Sequence, residues 1–100
     1  MIKHIVMWKL KDNAEGKSKF ENAKFIKEGL EALKADIKEI LSIEAGINIV
    51  EDPGAYDLVL YSVFESKEDL NIYQKHPQHV KIAEYIGKVR EARVVVDYEI

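Results

Sequence analysis

Ile2-Lys3-His4-Ile5-Val6-Met7-Trp8-Lys9-Leu10 is the stretch on which the fold turns. Successive side chains of a strand point to opposite faces of its sheet. Ile2, Val6, Trp8 and Leu10 share one parity with His4, while Ile5 and Met7 take the other, so this strand is apolar on both sides. Tyr56 to Phe64 behaves the same way: Leu58, Leu60 and Phe64 oppose Val59, Tyr61 and Val63. A sheet with one wet face would alternate cleanly, and these strands do not.

Outward from the first strand, Lys11 to Gly16 is polar and reads as a turn. From about Glu15 or Lys17 the period becomes helical, with Phe20, Ala23, Ile26, Leu30, Leu33 and Ile37 on one face. Ser18 with Glu21 fits a capping box, with Asn13 as the alternative cap one turn earlier. Asp36 to Ile40 is a tight turn that plugs Ile37 and Ile40 into the core. Leu41 to Val50 reads as a strand, with Gly46 marking a bulge or a close backbone approach. Asp52-Pro53-Gly54 turns the chain into the Tyr56 to Phe64 strand, and the two strands should pair as an antiparallel hairpin. Ser66 caps a short helix through Tyr73, Pro77 opens another containing Val80, Ala83 and Ile86, and Ala92 to Ile100 is the last strand. Strand, helix, strand, strand, helix, strand builds a four-stranded antiparallel sheet with helices on one face only. Nothing in the chain remains to cover the other face. Each large side chain left there forgoes roughly 1.5–3 kcal/mol of full burial, so a second copy is expected to cover it, sheet against sheet.

Composition narrows the function. One domain over residues 1–100, 47% hydrophobic and 33% charged, describes a soluble globular protein. A net charge of −3 gives no basic surface for nucleic acid, and the apolar start is too short to span a membrane. The absence of cysteine excludes disulfides, thiolate metal sites and a cysteine nucleophile. No cofactor motif is present, and a cytoplasmic location is the default expectation. Three histidines are enough for a metal site, but none pair at zinc-motif spacing beside acidic residues, so no metal is expected.

The chemistry concentrates in Tyr73-Gln74-Lys75-His76-Pro77-Gln78-His79-Val80, where one helix stops and another starts. Pro77 disfavours the helical conformation at His76 and suits the first position of a new helix. Tyr73 and His79 therefore flank a kink. Two roles are open to them: a phenol and an imidazole that satisfy the helix junction's own hydrogen bonds, or a pair that moves a proton on a bound carbonyl compound. His4 shares the face of Val6 and Trp8 and can meet His79 if that face carries the helices. His76 reads as a cap. Trp8, Tyr61 and Phe64 are core residues that would line an apolar pocket wherever sheet and helices leave space.

Taken together, Lys3-His4-Ile5-Val6, Ala55-Tyr56-Asp57-Leu58, His76-Pro77-Gln78-His79 and Val95-Val96-Asp97-Tyr98 make the chain resemble the stress-responsive A/B barrel domain, or Dabb, family along its whole length. The resemblance implies an α+β, ferredoxin-like fold and a dimeric α/β barrel formed through the sheet face. Many members are stress-associated proteins of unassigned activity. One plant member is a cofactor-independent polyketide cyclase whose base is a histidine similar in place to His79. Its neighbouring tyrosine is similar to Tyr73 and its first-strand histidine to His4. A further histidine of that enzyme is replaced here by Asp57. Plant members also hold magnesium on backbone carbonyls in a region similar to Ile37 and Ile40. The resemblance thus implies either a homodimeric protein binding a small apolar or carbonyl ligand, or a cyclase, lyase or isomerase using His79 and Tyr73. A monooxygenase of the related barrels acting on quinols or haem has no motif in its favour.

Overall fold

The computed structural model describes residues 1–100. β1 (Ile2–Leu10) leads through a small ribbon, β2 (Asn13–Ala14) and β3 (Lys17–Ser18), into α1 (Lys19–Asp36). β4 (Ser42–Ile47) and β5 (Leu58–Phe64) form the expected hairpin, α2 (Lys67–Lys75) and α3 (Pro77–Val89) return the chain, and β6 (Arg90–Glu99) ends it. The main sheet is antiparallel in the order β4-β5-β1-β6. This is a ferredoxin-like α+β fold with its helices on one face.

Local chemistry sets the element ends. Ser18 Oγ accepts from the Glu21 amide at 3.2 Å and Glu21 accepts from the Ser18 amide at 3.0 Å, a complete capping box. Asn13 is not the cap; it pairs with Ser18 in the ribbon, whose turn places Glu15 and Gly16 at positive φ. Ser66 caps α2 through the Asp69 amide, and His76 caps α3 by accepting at Nδ1 from the Gln78 amide. The break between α2 and α3 falls where Pro77 demands it, with His76 extended.

On the helix side, Ile2, His4, Val6, Trp8 and Leu10 of β1 are buried together with Leu58, Leu60, Ser62 and Phe64 of β5. Ala23, Ile26, Leu30 and Leu33 descend on them from α1. Phe20 does not join them and is 64% exposed. At α-helical spacing it points roughly 110° away from the mean direction of the buried side chains. Asn22 takes an inward place instead, its Nδ2 donating to Ala14 O at 3.1 Å and its Oδ1 accepting from Tyr85 at 2.6 Å. Gly29 lets α1 approach α3, since a Cβ there would lie 2.8 Å from Ile82 Cδ1.

The other face of the sheet carries no helix. Register aligns Val59, Met7 and Val94 in one row and Tyr61, Ile5 and Val96 in the next. Tyr61 thus lies on the open face, with the Lys3 ammonium 5.4 Å from its ring centroid. It is not part of the space between sheet and helices, because its odd parity opposes that of Leu60. Gly46 marks a close approach to Val59 rather than a bulge. The irregularity sits elsewhere, between Lys9 and Leu10 of β1: Lys9 pairs with Ala92 and Leu10 with Arg90, leaving Glu91 as an extra residue in β6.

The outer edge of β4 is closed by α1. Lys27 donates to Glu31 at 2.8 Å and to Ala45 O at 2.7 Å, while Glu31 accepts from the Ala45 amide at 3.1 Å. The edge groups of Ala45 that would template another strand are thereby used.

Candidate functional site

Between the sheet and the second pair of helices lies a cavity of about 320 Å³. Val6, Trp8, Leu30, Leu60, Ala83, Ile86 and Gly87 supply its apolar wall, and His4, Gln74, His79, Arg90 and Arg93 its polar one. β1 contributes His4 and Trp8, the kink between α2 and α3 contributes Gln74 and His79, and β6 contributes both arginines. A Cβ on Gly87 would meet nothing within 4 Å, in keeping with open space on that side.

His79 is half-buried on this wall, and its Nδ1 lies 3.0 Å from Gln74 O. A carbonyl oxygen only accepts, so Nδ1 carries the hydrogen and the lone pair of the neutral ring resides on Nε2. Burial lowers the imidazole pKa below its usual 6.5, the Gln74 carbonyl opposes that shift, and His4, Arg93 and His76 add to the lowering. At neutral pH His79 is an uncharged imidazole with a bare Nε2.

His4 lies across β1 from Asp97 of β6 and donates its Nδ1–H to that carboxylate. Ser62 donates to His4 O at 3.3 Å. Tyr73 stands between the two histidines, its ring centroid 4.5 Å from that of His79 and 6.1 Å from that of His4, with Phe64 at 4.9 Å. Tyr73 is fully buried and its hydroxyl has no hydrogen-bond partner. That burial also drives the phenol pKa well up. The kink therefore brings His79, Tyr73 and His4 into one cluster, but only the two histidines line the cavity. Tyr73 packs its ring against the imidazole at a tilt of 53° and does not line the cavity.

Trp8 alone of the three aromatic candidates reaches the cavity wall. Phe64 is sealed in the core against His4 and Tyr73, and Tyr61 is on the opposite face. Asp57, just before β5, is a structural anchor: its carboxylate accepts from the Leu10 amide at 2.7 Å and its own amide donates to Trp8 O. The carbonyls that the resemblance linked to magnesium are used within the chain. Ile37 O accepts from the Ile40 amide and Ile40 O accepts from the Lys34 ammonium at 3.3 Å. A cation beside Lys34 would be repelled, so the residues present do not fit a magnesium ion there. No three histidine, aspartate or glutamate side chains cluster as a metal-ligand set.

Sequence inspection overlooked Arg90 and Arg93. Three positions apart in a strand, they should project to opposite faces, and no local signal reveals the bulge that unites them. His4 with Asp97 is equally hidden, since the partners are 93 positions apart.

The model of the family described as Stress responsive A/B Barrel Domain matches residues 2–100. The stress-response A/B barrel domain-containing protein DABB1 of Arabidopsis thaliana is 31% identical over 101 aligned positions, covering 98% of this chain and 46% of that protein. A second stress-response A/B barrel domain-containing protein of the same plant is 36% identical over 83 positions, 82% of this chain and 30% of its own length. The chain thus spans less than half the length of these two curated relatives. A dimeric protein of unknown function and ferredoxin-like fold from Bacteroides fragilis superposes with a TM-score of 0.87 at 38% identity, over 99% of this chain and 95% of that one.

Proposed function

The chain belongs to the stress-responsive A/B barrel domain family, and on that premise we propose that it acts as a homodimer in which each copy binds a small carbonyl compound in the cavity beside His79. The observation that carries this is the cavity itself: about 320 Å³, oily along Trp8, Leu30, Leu60 and Ile86, and met by a neutral imidazole fixed at Nδ1. Small-molecule sites likewise combine an apolar wall with a few placed polar groups. Pairing of two copies through the open sheet faces is supported by the in-register rows of Val59, Met7 and Val94 and of Tyr61, Ile5 and Val96, and by the dimeric Bacteroides fragilis relative. The closed edge of β4 favours contact by face over contact by edge.

Trp8 is the sole tryptophan and lines the cavity, so its fluorescence reports binding directly. Titration with a panel of small ketones and aldehydes should change Trp8 emission saturably for at least some members. Ala83→Phe, which fills the mouth from α3, should abolish that response while the dimer persists. A silent Trp8 throughout, or equal binding by the plugged variant, contradicts the proposal.

A second function, proton transfer at a carbon next to the carbonyl, is favoured by the state of His79. Nε2 would remove the proton while the Gln74 carbonyl, through Nδ1–H, holds the ring and steadies the imidazolium formed. Tyr73 would position His79 through ring contact rather than touch the ligand. Exchange of that carbon-bound hydrogen for deuterium, followed by NMR, should be catalysed by the unmodified protein and lost in His79→Ala. Equal exchange by both would dismiss His79 as the base.

A further inference from the structure

Arg90 opens β6 and Arg93 follows three positions later. In an unbroken strand an odd spacing would send their side chains to opposite faces. The extra residue Glu91 reverses that outcome: Arg90 falls opposite Leu10 and Arg93 opposite Trp8, both partners being buried on the helix side. The bulge therefore turns two guanidinium groups to the same side of the sheet, and both line the cavity. The chain as a whole carries a net charge of −3, yet no carboxylate lines this hollow. Neither arginine takes part in an ion pair within the chain. Of the acidic side chains on the same face of β6, Asp97 is already engaged by His4 and Glu99 lies at the far end of the strand, opposite Ile2. Two unpaired forks of N–H donors, lining a concavity that also has an apolar wall of Val6, Trp8, Leu30, Leu60 and Ile86, match a planar anion carried on an oily body.

We propose that Arg90 and Arg93 form a carboxylate-binding mouth, so that the compound held beside His79 is a small organic acid, its carboxylate on the guanidinium pair and its apolar part against Trp8 and Ile86. This rests on the cavity being the ligand site. It adds the ligand's charge and its direction of entry: anionic end outward at β6, uncharged end inward toward the imidazole.

The probes are 3-phenylpropanoate, its neutral amide 3-phenylpropanamide, and inorganic phosphate, each titrated into the dimeric protein and followed by Trp8 fluorescence. The acid should bind about tenfold or more tightly than the amide, and added salt should weaken the acid but not the amide. Arg90→Gln and Arg93→Gln should each lose about tenfold for the acid and leave the amide unchanged, with Arg93→Lys falling between. Phosphate should displace the acid only weakly, since it has no apolar body to seat against Trp8. Equal binding of acid and amide overturns the carboxylate assignment while leaving a ligand cavity in place, and phosphate displacing the acid at comparable concentration reduces the mouth to a general anion site and overturns it too. If neither acid nor amide perturbs Trp8, both this inference and the cavity's ligand-binding role fail. The acid-to-amide comparison uses the unmodified chain, so a variant that folds poorly does not shield the proposal.

Discussion

Val96→Glu is the substitution that most sharply separates a paired from a solitary chain. Val96 lies on the open face midway along the edge strand β6, opposite Ile5, and is 60% exposed in the single chain. In one copy alone a carboxylate at this position remains in water, so folding stability should change by no more than about 1 kcal/mol. In a two-fold pair the same substitution enters the interface twice. An uncompensated buried charge costs about 3–5 kcal/mol, so the pair loses at least about 6 kcal/mol, more than four orders of magnitude in dissociation constant. Sedimentation velocity from nanomolar to micromolar concentration should find the unmodified protein dimeric and Val96→Glu monomeric, with closely similar circular dichroism. A variant that dimerises as tightly as its parent would refute pairing through this face.

Other outcomes follow from the same geometry. Tyr73→Phe deletes a buried hydroxyl that has no partner, so urea unfolding should show stability unchanged or raised by about 1 kcal/mol; a loss of about 2 kcal/mol would mean the hydroxyl is satisfied. Because the folded-state pKa of His79 is depressed, the unfolded chain binds the proton first as pH falls; stability should be level above the unfolded value of about 6.5 and decline as pH drops through the folded one. In His79→Gln that part of the decline should vanish, and parallel pH profiles for the two proteins would contradict it. The Lys27 ammonium and then the Ala45 amide hold the Glu31 carboxyl below its usual range, so its contribution is present at neutral pH and lost as pH falls through its folded pKa. Glu31→Gln should cost less than about 1 kcal/mol, the pair being over a third exposed, but hydrogen exchange should reveal a marked loss of protection at the Ala45 amide.

The sheet was legible because strand periodicity is local: Ile2 to Leu10 and Leu58 to Phe64 declare two apolar faces, and a chain with only two helical crossings can shelter one of them. Where a helix points its residues is less local. Phe20 satisfies the spacing of an inward position, but the cap at Ser18 and the Asn22 bonds to Ala14 and Tyr85 rotate the buried stripe away from it. The kink at Pro77 and its pairing of Tyr73 with His79 followed from proline's own sterics. Which of the two side chains faces the cavity did not, since that depends on packing against Phe64 and His4 from distant strands. The arginine mouth was the least legible feature. It depends on one extra residue in β6, and a bulge becomes visible only when the partner strand supplies the register.

The state of His79 is the point on which the proposed proton transfer depends, and ring nitrogen resonances report it directly. Long-range nitrogen–proton correlation on the labelled protein should find Nδ1 protonated and Nε2 bare at neutral pH, with a titration midpoint below the usual 6.5. A hydrogen on Nε2, or a midpoint above that value, would contradict an imidazole held ready to accept a proton from a bound ligand.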